Sequence, residues 1–153
     1  MRIKGNAYLD AGTRLILKKM DPRILFYALG IWFIFLMAAI LNGAFRENFV
    51  EPRVGEYVGH VISTLILISV VLVVTFLFLS NVTIAYSTTD LVLIGAFWVI
   101  VTVLFEFIFF HYGRGESWDT LLADYNILKG RLWSLVLVTV FIAPLLFGLL
   151  LRE

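Results

Sequence analysis

The stretch ILFYALGIWFIFLMAAILNGAF, from Ile24 to Phe45, contains no charged residue. At about 1.5 Å of rise per residue, such a run exceeds a hydrocarbon core of roughly 30 Å. Asp21 ahead of Pro22 supplies an N-cap and a first-turn proline, which predicts a sharp helix start. A removable signal peptide has an apolar region of only roughly 7–15 residues and a small-residue cleavage site, so this run is read as a membrane span.

Three further runs lie C-terminal to it. The segment Tyr57 to Tyr86 carries no Asp, Glu, Lys or Arg and turns polar at Ser80, Asn81 and Thr83. Ser87, Thr88, Thr89 and Asp90 form an S-x-x-D capping pattern that opens a third span. The fourth lies between Arg131 and Arg152 and contains Pro144, a local loss of hydrogen bonding that neighbouring helices absorb in a membrane. The predicted fold is all-α: a polytopic membrane protein with four transmembrane helices in a bundle, at about 24–45, 56–79, 88–112 and 132–151. The transmembrane domain is assigned to 23–153, after a basic cytoplasmic or membrane-surface segment at 1–22. Composition agrees, because 61% of the 153 residues are hydrophobic and 15% charged, against roughly 45–50% and about 25% in a soluble domain.

Two segments fall outside the spans. Residues 1–20 mix Arg2, Lys4, Arg14, Lys18 and Lys19 with apolar residues, which suits either a basic surface helix or a poorly ordered tail. Residues 117–129 align Trp118, Leu121, Leu122, Tyr125 and Leu128, the pattern of a short interfacial helix ending at Gly130.

Several function classes drop out. The chain has no cysteine, which removes disulfides, thiolate metal sites and cysteine nucleophiles. A net charge of +1 with scattered basic residues gives no nucleic-acid face. No glycine-rich phosphate loop, G-x-S-x-G elbow or H-E-x-x-H pattern occurs. No internal repeat supports an inverted-repeat transporter.

Six Lys or Arg residues precede or begin the first span, and Arg152 joins them on the same side. The other side carries five, Arg46, Arg53, Arg114, Lys129 and Arg131. The positive-inside rule therefore puts both termini in the cytoplasm.

The acids and both histidines gather toward the opposite side. Glu106 is the sharpest signal, because it sits in the aromatic run Phe105 to Phe110, roughly 9 Å inside the end of its span. An ionised carboxylate at that depth costs several kcal/mol unless it is paired or protonated. It marks either a functional carboxylate or a neutral interhelical hydrogen bond. Glu56, His60 and Thr64 form an i, i+4, i+8 stripe, and His60 lies at a depth comparable with Glu106. The expected partner of Glu106 is His60 first and Arg46 second. Arg46 shares a face with Asn42 and precedes Glu47; it reaches inward or snorkels to headgroups. Gly55 and Gly59 allow close helix approach. His111, Tyr112, Trp118 and Tyr125 sit at the interface level, and Asp124 is positioned to pair with Arg131.

Asn42 to Glu47, Pro52 to Gly55 with His60, Glu106-Phe107 through His111-Tyr112 to Ser117-Trp118, Asp124-Tyr125 and Gly130 to Trp133 together resemble a group of small four-helix prokaryotic integral membrane proteins. The resemblance covers about 24–151. It implies the topology and a prokaryotic cell membrane, and adds no activity, because none is assigned to that group.

The expected function is binding, with or without transport, of a small polar or ionic solute or lipid headgroup in an extracytoplasmic pocket. Its walls are drawn from Asn42, Arg46, Glu47, His60, Glu106, His111, Tyr112, Trp118, Asp124 and Tyr125. A membrane-embedded enzyme, with Glu106 as acid or base and a histidine-held metal, is the second reading, and an accessory subunit without its own site is the third. No cofactor or metal is assigned. Membrane lipids, a second copy of the chain or a membrane partner are the expected contacts.

Overall fold

The computed structural model describes residues 20–123 and 132–152. The basic segment up to residue 19, and residues 124–131 with Asp124, Tyr125, Gly130 and the expected Asp124–Arg131 pair, lie outside them.

Every regular element in the described residues is helical. Helix α1 spans Pro22–Phe45 and passes without a break into a π-helical segment, Arg46–Val50. A short helix α2, Glu51–Val54, follows. Gly55 then reverses the chain at φ 85°, ψ 163°, a conformation glycine alone adopts readily, and α3 runs over Glu56–Asn81. Gly55 thus serves the turn and not close helix approach. Helix α4 spans Thr88–Glu106 and also ends in a π-helical segment, Phe107–Gly113. Helix α5 covers Trp118–Ala123, and α6 covers Trp133–Leu150 with Pro144 buried inside it.

The helix starts follow from local chemistry. The Asp21 carboxylate accepts the Arg23 backbone N–H at 2.9 Å and also binds the Arg23 guanidinium. At α4 the capping box is complete, with Asp90 N–H donating to Ser87 Oγ at 3.1 Å and Ser87 N–H donating to Asp90 Oδ2 at 2.7 Å.

Four helical stretches, Pro22–Val54, Glu56–Asn81, Thr88–Gly113 and Trp133–Leu150, are long and apolar enough to cross a membrane. Only 22% to 28% of the residues in their apolar windows are buried within the protein. The outward surface is made of residues such as Phe26, Leu41, Leu65 and Ile100. Water is a poor solvent for such a surface, and lipid a good one.

Helix α6 packs against α3 and α4, and α1 packs against the same two helices. The core between them holds Ile24, Ala28, Trp32, Val71, Ile94, Trp98 and Val140. Two indoles fasten α1 to α4: Trp98 Nε1 donates to the Ala28 carbonyl at 2.7 Å, and Trp32 Nε1 to Thr102 Oγ1 at 3.0 Å. At Gly95 the α4 backbone touches that of α6, since a Cβ there would lie inside contact distance of the Phe141 carbonyl oxygen.

The start of α1, the α3–α4 connection and the end of α6 meet at one end. An open cleft there is lined by Met20, Arg23, Thr83 and Asp90, and Arg152 donates to Thr88 Oγ1 at 3.0 Å and to the Tyr86 carbonyl. The two π-helical segments belong to the opposite end, with the candidate residues.

Candidate functional site

The site begins with Asn42, in the last turn of α1. Its amide nitrogen donates to the Ser63 carbonyl at 2.9 Å and Ser63 Oγ at 2.7 Å. The carbonyl fixes the orientation of the amide, because only the NH2 group can serve it. Asn42 Oδ1 is left sealed from solvent without a donor among the described residues. On α3, Ser63 and Thr64 are buried, and Thr64 Oγ1 donates to the His60 carbonyl at 2.8 Å. Glu56, the outer member of the expected stripe, is exposed.

Arg46 follows at the first residue of the π-helical segment. Its side chain is three-quarters buried, with 25% relative exposure, so it does not snorkel. Nε lies 3.0 Å from Glu51 Oε1, Nη2 lies 3.3 Å from Glu47 Oε1, and Nη1 lies 3.3 Å from His60 Nδ1. Nε is within ion-pair distance of Glu51 but has no hydrogen-bond acceptor among the described residues. Gly59 makes the Glu51 contact possible, since a Cβ there would stand 2.8 Å from Glu51 Cγ. The small residue on α3 admits both the side chain and the backbone of Glu51, whose Cα and N would lie 3.4 Å from such a Cβ.

His60 and Glu106 both reach the start of α6. Leu132 has no side chain able to cap the helix, and its backbone N–H donates to His60 Nε2 at 3.2 Å. One of the orphan donors of a helix N-terminus is thereby satisfied from a neighbouring helix. An imidazole accepting at Nε2 carries its proton on Nδ1, so the Arg46 contact is then an edge packed beside it and not a second accepted hydrogen bond. The next residue, Trp133, donates its indole N–H to Glu106 Oε2 at 3.0 Å. The carboxylate lies beside the first turn of α6, where the helix dipole favours negative charge. Glu106 thus meets an indole from α6, and His60 takes up the adjacent amide.

His111 and Trp118 form a separate cluster. His111 Nδ1 donates to the Glu116 carbonyl at 2.7 Å, and the ring stacks on Trp118 with centroids 3.9 Å apart. Phe107 stacks on the same indole at 5.6 Å, and Tyr112 meets His111 edge-on. Tyr112 itself is largely exposed, as an interfacial anchor would be. The hydrogen bond and ring contacts of His111 all fall within this cluster. Among the described residues no three His, Asp or Glu side chains converge as metal ligands.

Two members of the site, Glu51 and Trp133, gave little sign of themselves. Glu51 is one acid among several on its side, and an indole near a span end reads as a belt anchor. A signal did exist in the pairing of Glu51 with Gly59, one acid and one missing side chain on either side of a glycine turn.

Arg46 with Glu47 and Glu51 carries one positive and two negative charges. Hydrogen bonds that tie α1 to α3, α3 to the start of α6 and α4 to α6 run through this end. Comparison with family models, curated proteins and solved structures finds no match for the chain.

Proposed function

We propose that the chain is an integral membrane protein of four spanning helices in a bundle, with both termini cytoplasmic, that binds a small polar or ionic solute or a lipid headgroup at the extracytoplasmic end. Asn42, Arg46, Glu47, Glu51, His60 and Glu106 do the binding, and Trp133 holds Glu106 toward them. One observation carries the reading: a cation that is three-quarters buried, within ion-pair distance of two carboxylates and packed beside a histidine where α1 passes into a π-helical segment. Such segments are rare and appear frequently at functional sites. Helix α4 makes the same transition directly after Glu106. A purely structural end would be satisfied with ordinary helix caps.

Binding is favoured over passage through the membrane by the hydroxyls nearer the middle. Ser69 Oγ and Thr139 Oγ1 turn back onto their own helices at 2.8 Å, and Thr102 Oγ1 accepts from Trp32.

The experiment follows Trp133 fluorescence of protein in detergent, as the difference between wild type and Trp133→Phe. Ethanolamine, phosphoethanolamine, glycerol 3-phosphate and acetate are titrated in turn. A saturable change with one of the four, abolished in Glu106→Gln while far-UV dichroism is kept, supports the reading. No saturable change with any of them overturns it. The cysteine-free background also allows Glu51→Cys to be labelled with an impermeant maleimide, and labelling only after the cytoplasm is opened would reverse the orientation.

A further inference from the structure

A second feature lies on the lipid-facing side of the segment that carries Arg46. Phe45, Phe49, Val50, Arg53 and Val54 line an open cleft of about 410 Å³, apolar apart from the arginine. Phe45 and Phe49 stack with centroids 5.5 Å apart and form one wall. Arg53 donates to the Phe49 carbonyl, which pins the side chain across the cleft. Among the described residues no carboxylate lies within ion-pair distance of Arg53, whereas Arg23 and Arg114 each have one and Arg46 has two.

Depth identifies what such a cleft meets. The helical stretch Pro22–Val54 has 33 residues, and about 20 suffice for the hydrocarbon core. Phe45 lies about 35 Å along the helix from Pro22 at 1.5 Å per residue, so the cleft is at headgroup level with its apolar wall facing the acyl region. A guanidinium with one N–H committed keeps several donors for an anion, and phosphate is the anion that a bilayer presents at this depth.

We propose that this cleft is a phospholipid site, in which Arg53 binds the phosphate and the groove formed by Phe45, Phe49 and Val54 seats the upper part of one acyl chain. It is independent of the Arg46 site, whose guanidinium is turned inward onto α3.

Native mass spectrometry of the full chain released from detergent tests it. The probes are palmitoyl-oleoyl phosphatidylglycerol and the diacylglycerol with the same two chains. Wild type retains one phosphatidylglycerol and little diacylglycerol. Arg53→Gln lowers retention about five-fold, the effect of one basic residue at a membrane surface. Phe49→Ala lowers it as well, and Arg53→Lys restores much of it. Arg114→Gln, which removes an exposed cation at the same end, leaves it unchanged. Dichroism checks that each variant is folded. The proposal is overturned if folded Arg53→Gln retains as much lipid as wild type, if diacylglycerol is held equally well, or if Arg114→Gln loses as much. Retention in Glu106→Gln separates the two sites: it persists even where small-solute binding has failed.

Discussion

The bond between Trp133 and Glu106 makes a quantitative claim. Its length of 3.0 Å and its partly buried setting give good geometry between α6 and α4. Hydrogen bonds to charged groups contribute roughly 1.5–3 kcal/mol in soluble proteins. Polar pairs between membrane helices average only about 0.6 kcal/mol, because the unfolded chain in the membrane finds substitute partners. Position decides between the two ranges. Glu106 is near the end of its span and beside the positive first turn of α6, which raises the value above the mid-bilayer mean, so we expect about 1 kcal/mol of coupling. The perturbation is a double-mutant cycle of Trp133→Phe and Glu106→Met, in which the phenylalanine keeps the ring without the donor and the methionine keeps length without the acceptor. Reversible unfolding in mixed micelles, followed by far-UV dichroism, supplies the four free energies. Tryptophan fluorescence is avoided because one variant removes the reporter. A coupling below about 0.3 kcal/mol, within the usual error of additivity, refutes the claim that the indole holds the carboxylate.

Two further outcomes are expected. Gly95→Ala forces the α4 and α6 backbones apart, because the new Cβ would meet the Phe141 carbonyl oxygen and lie 3.1 Å from its carbon; it costs about 1–3 kcal/mol in the same unfolding assay. Gly30→Ala, with nothing within 4 Å of its Cβ, stabilises by up to about 1 kcal/mol through helix propensity, and equal effects at the two glycines would contradict the packing. The side-chain hydrogen bond from Arg23, then that from its backbone N–H, holds the Asp21 carboxyl below its ordinary range. Its folded value being the lower, the stabilisation of the α1 start is complete above the usual carboxylate range near pH 4. It is lost as pH falls through the depressed value, so an Arg23 amide resonance titrating at or above pH 4 would contradict the cap.

The four long helices were legible because runs without charge reach spanning length, a property of composition that survives ignorance of packing. The starts of α1 and α4 were legible too, since Asp21-Pro22 and Ser87-x-x-Asp90 are local capping chemistry. The π-helical segments were not. Phe107 to Gly113 is as apolar and aromatic as the helix before it, and Arg46 to Val50 reads as the ordinary polar end of a span; hydrophobic periodicity does not separate an i→i+5 turn from an ordinary one in either setting. One consequence is local error in direction. Each π turn shifts the face on which later residues emerge, so Glu51 arrives beside Arg46, and His111 turns to Trp118 instead of joining His60. Matched depth pointed to His60 and Glu106, whereas the contact of Arg46 with His60 was not legible, because depth alone does not specify rotation about the helix axis. Trp133 was lost for another reason, since an indole near a span end has an ordinary interfacial role that conceals its donor.

The location of the polar residues also bears on why binding is the better reading. A path across the bilayer requires groups that exchange partners along its length, yet the middle of this molecule commits its donors to fixed partners. Trp98 is fully buried and gives its N–H to the Ala28 carbonyl, while Trp32 gives its own to Thr102. Opening a route there means withdrawing two indoles from the α1–α4 contact, with the loss of their large buried areas as well as both hydrogen bonds. Thr75, fully buried with a hydroxyl that has no partner among the described residues, is one polar atom in that region, and one hydroxyl is too little to hydrate an ion. At the polar end the balance differs. Arg46 shares its charge between Glu47 and Glu51, with His60 packed beside it. An incoming ligand can replace one of these without stripping the cation of all its partners. The cost of reorganisation is lowest where the polar groups already form a network, so the same physics that closes the middle of the protein supports the proposal that a ligand is bound at its α6-start end.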